Sequence, residues 1–341
     1  MGLFESALHP EGFHGHGKTK RFFEGWYVKL VSADRQQRWA VIPGLFLGPD
    51  GGGEAFVQVL DGATKRSWFC RYELSEFEAK AHTFEARVGP NHFSSKGLTL
   101  SLKDGPLQGT LTFSSLNPWP VTLTSPGIMG WYAYVPFMEC YHGVVSFWHT
   151  LTGALTVEGR EVSFDGGVGY MEKDWGQAFP AGYVWMQTNH FSTPETSLVA
   201  SAAIIPWLSG SFPGFIAGFW QRGRLYRFAT YTGARIEELI VDDTHVRMTF
   251  ADKEHRLEVV TERTGGGLLH APVRTEMHKR VEESLDAQVQ VRLSRVSGGA
   301  TVFEEVGHVA GLEVHGELDR LMSMARGRRQ AEVGATPVDS R

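Results

Sequence analysis

Apolar and aromatic residues recur along this chain in runs of strand length, with little sign of helical spacing. In Thr244-His245-Val246-Arg247-Met248-Thr249-Phe250 and Val289-Gln290-Val291-Arg292-Leu293 they alternate with polar residues. That period of two belongs to a strand with one face in a core and the other in water. Further runs lie at 22–30, 39–47, 55–60, 83–88, 98–102 and 108–113, and again at 144–151, 154–157, 183–191, 198–206, 215–221, 225–231, 256–261 and 302–309. Clusters of Gly, Pro, Asn and Asp, such as 48–53, separate them. The pattern predicts an all-β protein. One helix is predicted over 313–324 and a short helical turn over 274–284, and the polar residues 326–341 are expected to form a disordered tail.

No repeat of constant period runs through the sequence, which argues against a propeller or solenoid. The strands are too many for one small sandwich, so two sheet-built halves are expected. Residues 118–136 are rich in proline and aromatics, and 176–182 form a second Gly/Pro break. The expected division is an N-terminal β domain over 1–180 and a C-terminal β domain over 181–325.

Composition narrows the function. Lys and Arg number 33 against 38 Asp and Glu, a net charge of −5 without a basic cluster, so no nucleic-acid partner is expected. Two cysteines, Cys70 and Cys140, cannot build a disulfide framework or a cysteine zinc site, which points to a reducing, cytoplasmic setting. No apolar run reaches the length of a membrane-spanning helix. The sequence also lacks a phosphate-binding loop, a Gly-x-Ser-x-Gly elbow and a dinucleotide fingerprint, which removes the usual support for phosphoryl transfer, serine hydrolysis and nicotinamide redox.

Three aromatic and acidic clusters carry the candidate chemistry. In Phe22-Phe23-Glu24-Gly25-Trp26-Tyr27-Val28-Lys29 an extended chain puts Glu24, Trp26 and Val28 on one face and Tyr27 and Lys29 on the other. A carboxylate among large apolar groups has its charged form disfavoured, so Glu24 is expected to keep a proton for use as a general acid; the alternative is a structural carboxylate that accepts bonds from backbone or an arginine and orders the first strand. The second cluster, Met138 to His149, adds Glu139, His142 and His149, with His142, Val144, Ser146 and Trp148 sharing a face on a regular strand. The third, Gly169-Tyr170-Met171-Glu172-Lys173-Asp174-Trp175-Gly176, offers Glu172 and Asp174 as further acids, or as partners of Lys173. It is followed by Trp185, Gln187 and Asn189 on one face, a mixture of apolar wall and polar anchors. His9, His14 and His16 lie in a Gly-rich stretch read as a flexible loop, and no metal site is expected.

Taken in order, Phe22 to Lys29, Tyr141-His142-Gly143, Gly169 to Gly176 and Trp185-Met186-Gln187-Thr188-Asn189-His190 resemble the tocopherol cyclase family, including its bacterial relatives. The resemblance extends from about Lys18 to about Leu321. It implies two lipocalin-like, β-barrel or β-sandwich-like domains packed around an apolar cavity. It also implies a cofactor-independent reaction on a prenylated phenol or quinol: an acid protonates a prenyl alkene and the phenol oxygen closes a chromanol ring. Glu24, Glu172 and Asp174 are the catalytic candidates. Trp26, Tyr27, His142, Trp148, Trp175, Trp185, Asn189 and His190 are the expected substrate contacts, and the expected partners are a hydrophobic small-molecule substrate and, transiently, a membrane surface. The alternatives are isoprenoid hydration, non-catalytic carriage of a hydrophobic isoprenoid, and an aromatic-platform carbohydrate site.

Overall fold

A computed structural model describes residues 2–334, almost entirely as antiparallel strands. By internal contacts the described chain divides into two compact units, one of the residues up to 179 with 265–286 and the other of 180–264 with the residues from 287 on. Each is described by itself.

The first unit opens with β1 (Phe22–Val31), β2 (Arg38–Leu47), β3 (Gly53–Asp61) and β4 (Ser67–Tyr72), a meander in which each strand pairs with the next. A second meander follows: β5 (Phe77–Ala79), β6 (Glu85–Val88), β7 (Asn91–Ser94), β8 (Gly97–Ser101), β9 (Leu107–Ser114) and the long β10 (Cys140–Val157). β11 (Arg160–Ser163) pairs only with β10, and β12 (Gly167–Gly176) then inserts between β10 and β1, joining the meanders through their centre. β1 and β2 are buried on both faces, which is why their sequences are nearly continuous in apolar residues and do not alternate. Trp26, Val28, Trp39, Val41, Met171 and Trp175 belong to the apolar core of this unit.

The second unit repeats the plan. β13 (Gly182–Thr188), β14 (Thr196–Trp207), β15 (Gly210–Gln221) and β16 (Arg224–Ala229) form its first meander, and β17 (Arg235–Val241), β18 (His245–Ala251) and β19 (His255–Glu262) its second. β20 (Gly267–Pro272) pairs with the start of β21 (Met277–Arg295), and both stretches fall within 265–286, the part of the chain that clusters with the first unit; from residue 287 on, β21 and β22 (Thr301–Gly316) belong to the second, with β22 between β21 and β13 as β12 lies between β10 and β1. Val184, Met186, Phe215, Phe219 and Phe250 are part of its core. Both sheets are antiparallel and run as open orders from edge to edge, so of the expected descriptions the β-barrel is the one the strand order does not close.

Two local expectations are corrected. Residues 277–295 are strand, so the helical turn expected at 274–284 is absent, and the last helix is Leu318–Gly334 because 313–316 still pair with β13. That helix includes 326–334 of the expected tail; 335–341 lie outside the described residues. No helix among the described residues is long and apolar enough to cross a membrane.

Candidate active site

The register of three central strands sorts the candidate residues onto two faces. β1 pairs with β12 so that Glu24 stands opposite Trp175, Trp26 opposite Lys173 and Tyr27 opposite Glu172. β10 pairs with the other edge of β12, placing His142 opposite Asp174 and Val144 opposite Glu172. Directly opposed residues point to the same side of a sheet. One face therefore carries Glu24, Trp26, Lys173 and Trp175, and the other Tyr27, Lys29, His142, Tyr170, Glu172 and Asp174. β2 approaches closely at this point, since a Cβ on Gly44 would stand 2.5 Å from the Glu24 carbonyl oxygen.

On the core face, Glu24 is fully buried and paired with the equally buried Lys173 ammonium. The Glu24 carboxylate also accepts the backbone N–H of His14, at 2.9 and 3.1 Å to its two oxygens. Burial pushes this carboxyl up, but Lys173 and His14 outweigh burial and hold it below the usual carboxylate range. The expected protonated acid is thus an ionised carboxylate, because the register brings Lys173 onto its face. Lys173 also donates to the Gly12 carbonyl, and its Nζ lies 2.9 Å from His14 Nδ1 and 4.7 Å from the ring centres of both Trp26 and Trp175. With Nδ1 accepting from Lys173, the His14 proton sits on Nε2 and donates to the Ser6 carbonyl at 3.2 Å. Burial, together with the Lys173 charge, keeps this imidazole below its ordinary range and neutral. Within the histidine stretch read as a flexible loop, the part at Phe13 and His14 is therefore packed onto the core, while His16 is exposed: His14 stacks on Trp175 at 4.1 Å, and Phe13 packs beside Trp26 and Phe22. Trp26 and Trp175, expected as substrate contacts, have their rings engaged by the protein's own groups, including Phe84 on Trp26 and Tyr141 on Trp175.

The opposite face holds a different arrangement. His142 Nδ1 lies 2.9 Å from Asp174 Oδ1, and Nε2 lies 3.4 Å from Glu172 Oε2 without hydrogen-bond alignment. Tyr170, fully buried, donates to the same Glu172 oxygen at 2.6 Å. Burial pulls the His142 pKa down, but Asp174 and then Glu172 overcome it and raise it to about 9. The ring is an imidazolium at neutral pH, with 17% of its side chain exposed beside an Asp174 that is 27% exposed. The ligand atoms of His142, Glu172 and Asp174 lie within 4.8 Å of one another, a spacing open to a cation. Both imidazole nitrogens face carboxylates, which also favour the protonated ring. Cys140, with Sγ 4.0 Å from Asp174, has its thiol pushed well up by burial and by the Asp174 and Glu139 carboxylates, and stays protonated.

Other expected contacts fall elsewhere. Bulges between Val144 and Ser146 and between Ser146 and His149 break the alternation of β10, so the expected His142 to Trp148 face ends at Val144. Trp148 is half-buried. Trp185 on β13, with Asn189 and His190 just beyond it, is buried in the second unit. A cleft lined by Arg21, Pro49, Gln177, Arg274 and Thr275 includes none of the expected residues. Sequence reasoning missed Lys173 and His14 as partners of Glu24, Tyr170 as a donor to Glu172, and Glu283, which accepts the Tyr27 hydroxyl. The one available signal was the Tyr-x-Glu-x-Asp spacing of 170–174, which puts three polar groups on one side of a strand.

Fold and site together describe an all-β protein with an imidazole held between carboxylates on its central strands. The chain belongs to the tocopherol cyclase-like family, whose model matches residues 111–316. It is 25% identical over 373 aligned positions to a probable chloroplastic tocopherol cyclase of Oryza sativa subsp. japonica, covering 89% of this chain and 77% of the relative. A chloroplastic tocopherol cyclase of Zea mays is 26% identical over 370 positions with the same coverage. Among solved structures, that of CghA with Sch210972 superposes with a TM-score of 0.54 at 11% identity, covering 87% of this chain and 89% of that one, a likeness of fold.

Proposed function

We propose that this protein is a cofactor-independent cyclase that closes a chromanol ring on a prenylated phenol or quinol, with His142, Asp174 and Glu172 as its acid. The observation that carries the reading is the His142 imidazolium between two carboxylates on a face where Tyr170 already satisfies Glu172. Such a group gives up its proton as a unit, so the acid is the set and not one member of it. The proton adds to the less substituted carbon of the prenyl alkene, the π pair forms the new C–H bond, and the tertiary carbocation is attacked by the phenol oxygen. The phenol then loses its proton, and the reaction is a net isomerisation. The family membership and the rice and maize relatives support the substrate class.

The test is to incubate the purified protein with a prenylated hydroquinone in heavy water. A cyclised isomer with one deuterium on the carbon next to the new C–O bond is expected, and a product without it would exclude alkene protonation. The second reading, a carrier of the same ligands, is favoured by the pairing of Glu24 with Lys173, which removes the acid first expected. Binding without conversion would establish the carrier.

A further inference from the structure

The face that holds His142 carries another carboxylate, from a distant part of the chain. Glu283, on β21, is fully buried and accepts the Tyr27 hydroxyl. Tyr27 stands opposite Glu172, and Lys29 stands opposite Tyr170. The two central strands thus carry a crossed pair: Tyr170 serves Glu172, Tyr27 serves Glu283, and the charge of the fully buried Lys29 acts on both carboxylates. Two buried carboxylates, a buried lysine and two tyrosines are costly on a sheet face that could have been apolar, and such concentrations mark functional sites.

We propose that Glu283 is the base that takes the phenol proton as the ring closes, with Tyr27 and Lys29 as positioning residues; this assignment rests on the cyclase reading above. Ring closure needs an acid at the alkene and a base at the phenol. The structure supplies two carboxylate groups with different neighbours: Glu172 stands beside an imidazolium that can return a proton to it, and Glu283 is held by a tyrosine hydroxyl near an amine. Two carboxylates in different surroundings can divide the acid and base roles in this way. As the C–O bond forms, the phenol O–H bond breaks and its proton moves to a Glu283 oxygen. The His142 group is left one proton short and Glu283 one proton richer, and exchange with water restores both after release. Lys29 interacts electrostatically with Glu283, and the Tyr27 hydroxyl fixes its orientation.

The experiment separates deuterium entry from ring closure, using a prenylated hydroquinone in heavy water. His142→Asn should lose both together. Glu283→Gln should lower chromanol formation by about 10²-fold or more. Deuterium should still enter the alkene in that variant, appearing in recovered substrate or in an open-chain hydrate. Tyr27→Phe, which keeps the ring volume, should shift the same partition to a smaller degree, and Glu283→Asp should restore part of the closure. These two carry the test if Glu283→Gln does not fold. A folded Glu283→Gln with the wild-type ratio of chromanol to deuterated open-chain material overturns the assignment of Glu283 while leaving the cyclase reading intact. A wild-type protein that incorporates no deuterium overturns both.

Discussion

Glu24 on β1 and Glu172 on β12 lie on adjacent strands, yet their carboxylates leave the sheet on opposite faces: Glu24 stands opposite Trp175, and Glu172 opposite Tyr27. Glu24 meets a lysine in the core, while Glu172 meets an imidazolium and a tyrosine. One carboxylate thereby has a buried cation for its partner, and the other belongs to the group proposed above as the acid.

Lys173→Met should cost about 3–5 kcal/mol of stability, because it leaves Glu24 charged and buried without its main partner. Replacing both, as Glu24→Gln with Lys173→Met, should cost less than the single lysine change. Urea unfolding measures each; a double variant as unstable as the sum of the single ones would show that the pair is not coupled.

Turnover should separate the two carboxylates. Glu172→Gln is expected to lower the rate by roughly 10²- to 10⁴-fold with ligand affinity little changed. Glu24→Gln should retain the rate per folded molecule. Equal loss in both would return Glu24 to the chemistry.

The pH dependence of stability contains two opposed contributions. His142 has a folded pKa raised from 6.5 to about 9, so its stabilisation is complete below 6.5 and is lost as pH climbs through 9. Lys29 is lowered by burial from 10.5 to about 7, only partly offset by Glu283 and Glu172, so its contribution has the other sign: stability is gained between 7 and 10.5. The sum is shallow, and the differences are informative. Subtracting the His142→Asn curve from wild type should leave a fall between 6.5 and 9, and subtracting Lys29→Met should leave a rise above 7. A flat His142 difference curve would mean that the imidazole is not held by its carboxylates.

Gly169→Ala should destabilise by about 1–3 kcal/mol, since the new methyl would stand 2.2 Å from Nε2 of His149, a fully buried ring with little room to turn. Thermal unfolding measures it. An unchanged midpoint would mean that β10 can shift at its bulge.

Between Asp104 and Glu139 the sequence has no acidic or basic residue. Leu123, Trp131 and Phe137 there are 65%, 45% and 51% exposed, and Tyr134 stacks on the exposed Phe4 at 5.2 Å. If this surface meets a bilayer, the protein sediments with phosphatidylcholine vesicles, and replacing Trp131 and Phe137 together by Ala weakens that partition by roughly tenfold or more. Equal sedimentation of variant and wild type with the vesicles would exclude this surface as the contact.

The all-β class was legible because alternation and turn residues report local geometry. Where a strand ends was less so: 313–316 look helical, but pairing with β13 keeps them extended. Of the site, the clusters around Glu24, His142 and Glu172 could be found, because each is a short run on one strand. Their partners could not, since Lys173 reaches Glu24 through the register of two strands and Glu283 lies 256 positions from Tyr27. His14 looked like part of a flexible loop because Gly and His carry no periodicity, whereas its backbone N–H is fixed by a carboxylate ten residues on.

The return of 265–286 to the first unit has a consequence for biosynthesis. A nascent chain that has emerged only to residue 180 already has β1 to β12, but it lacks Glu283 and the β20 segment, whose His270 backbone bonds the Gln58 side chain. The second unit's first seven strands must leave the ribosome before the Tyr27 hydroxyl can find its acceptor. Folding of the first unit therefore finishes late, and until then its buried lysine and tyrosines wait for a partner that has not yet been translated.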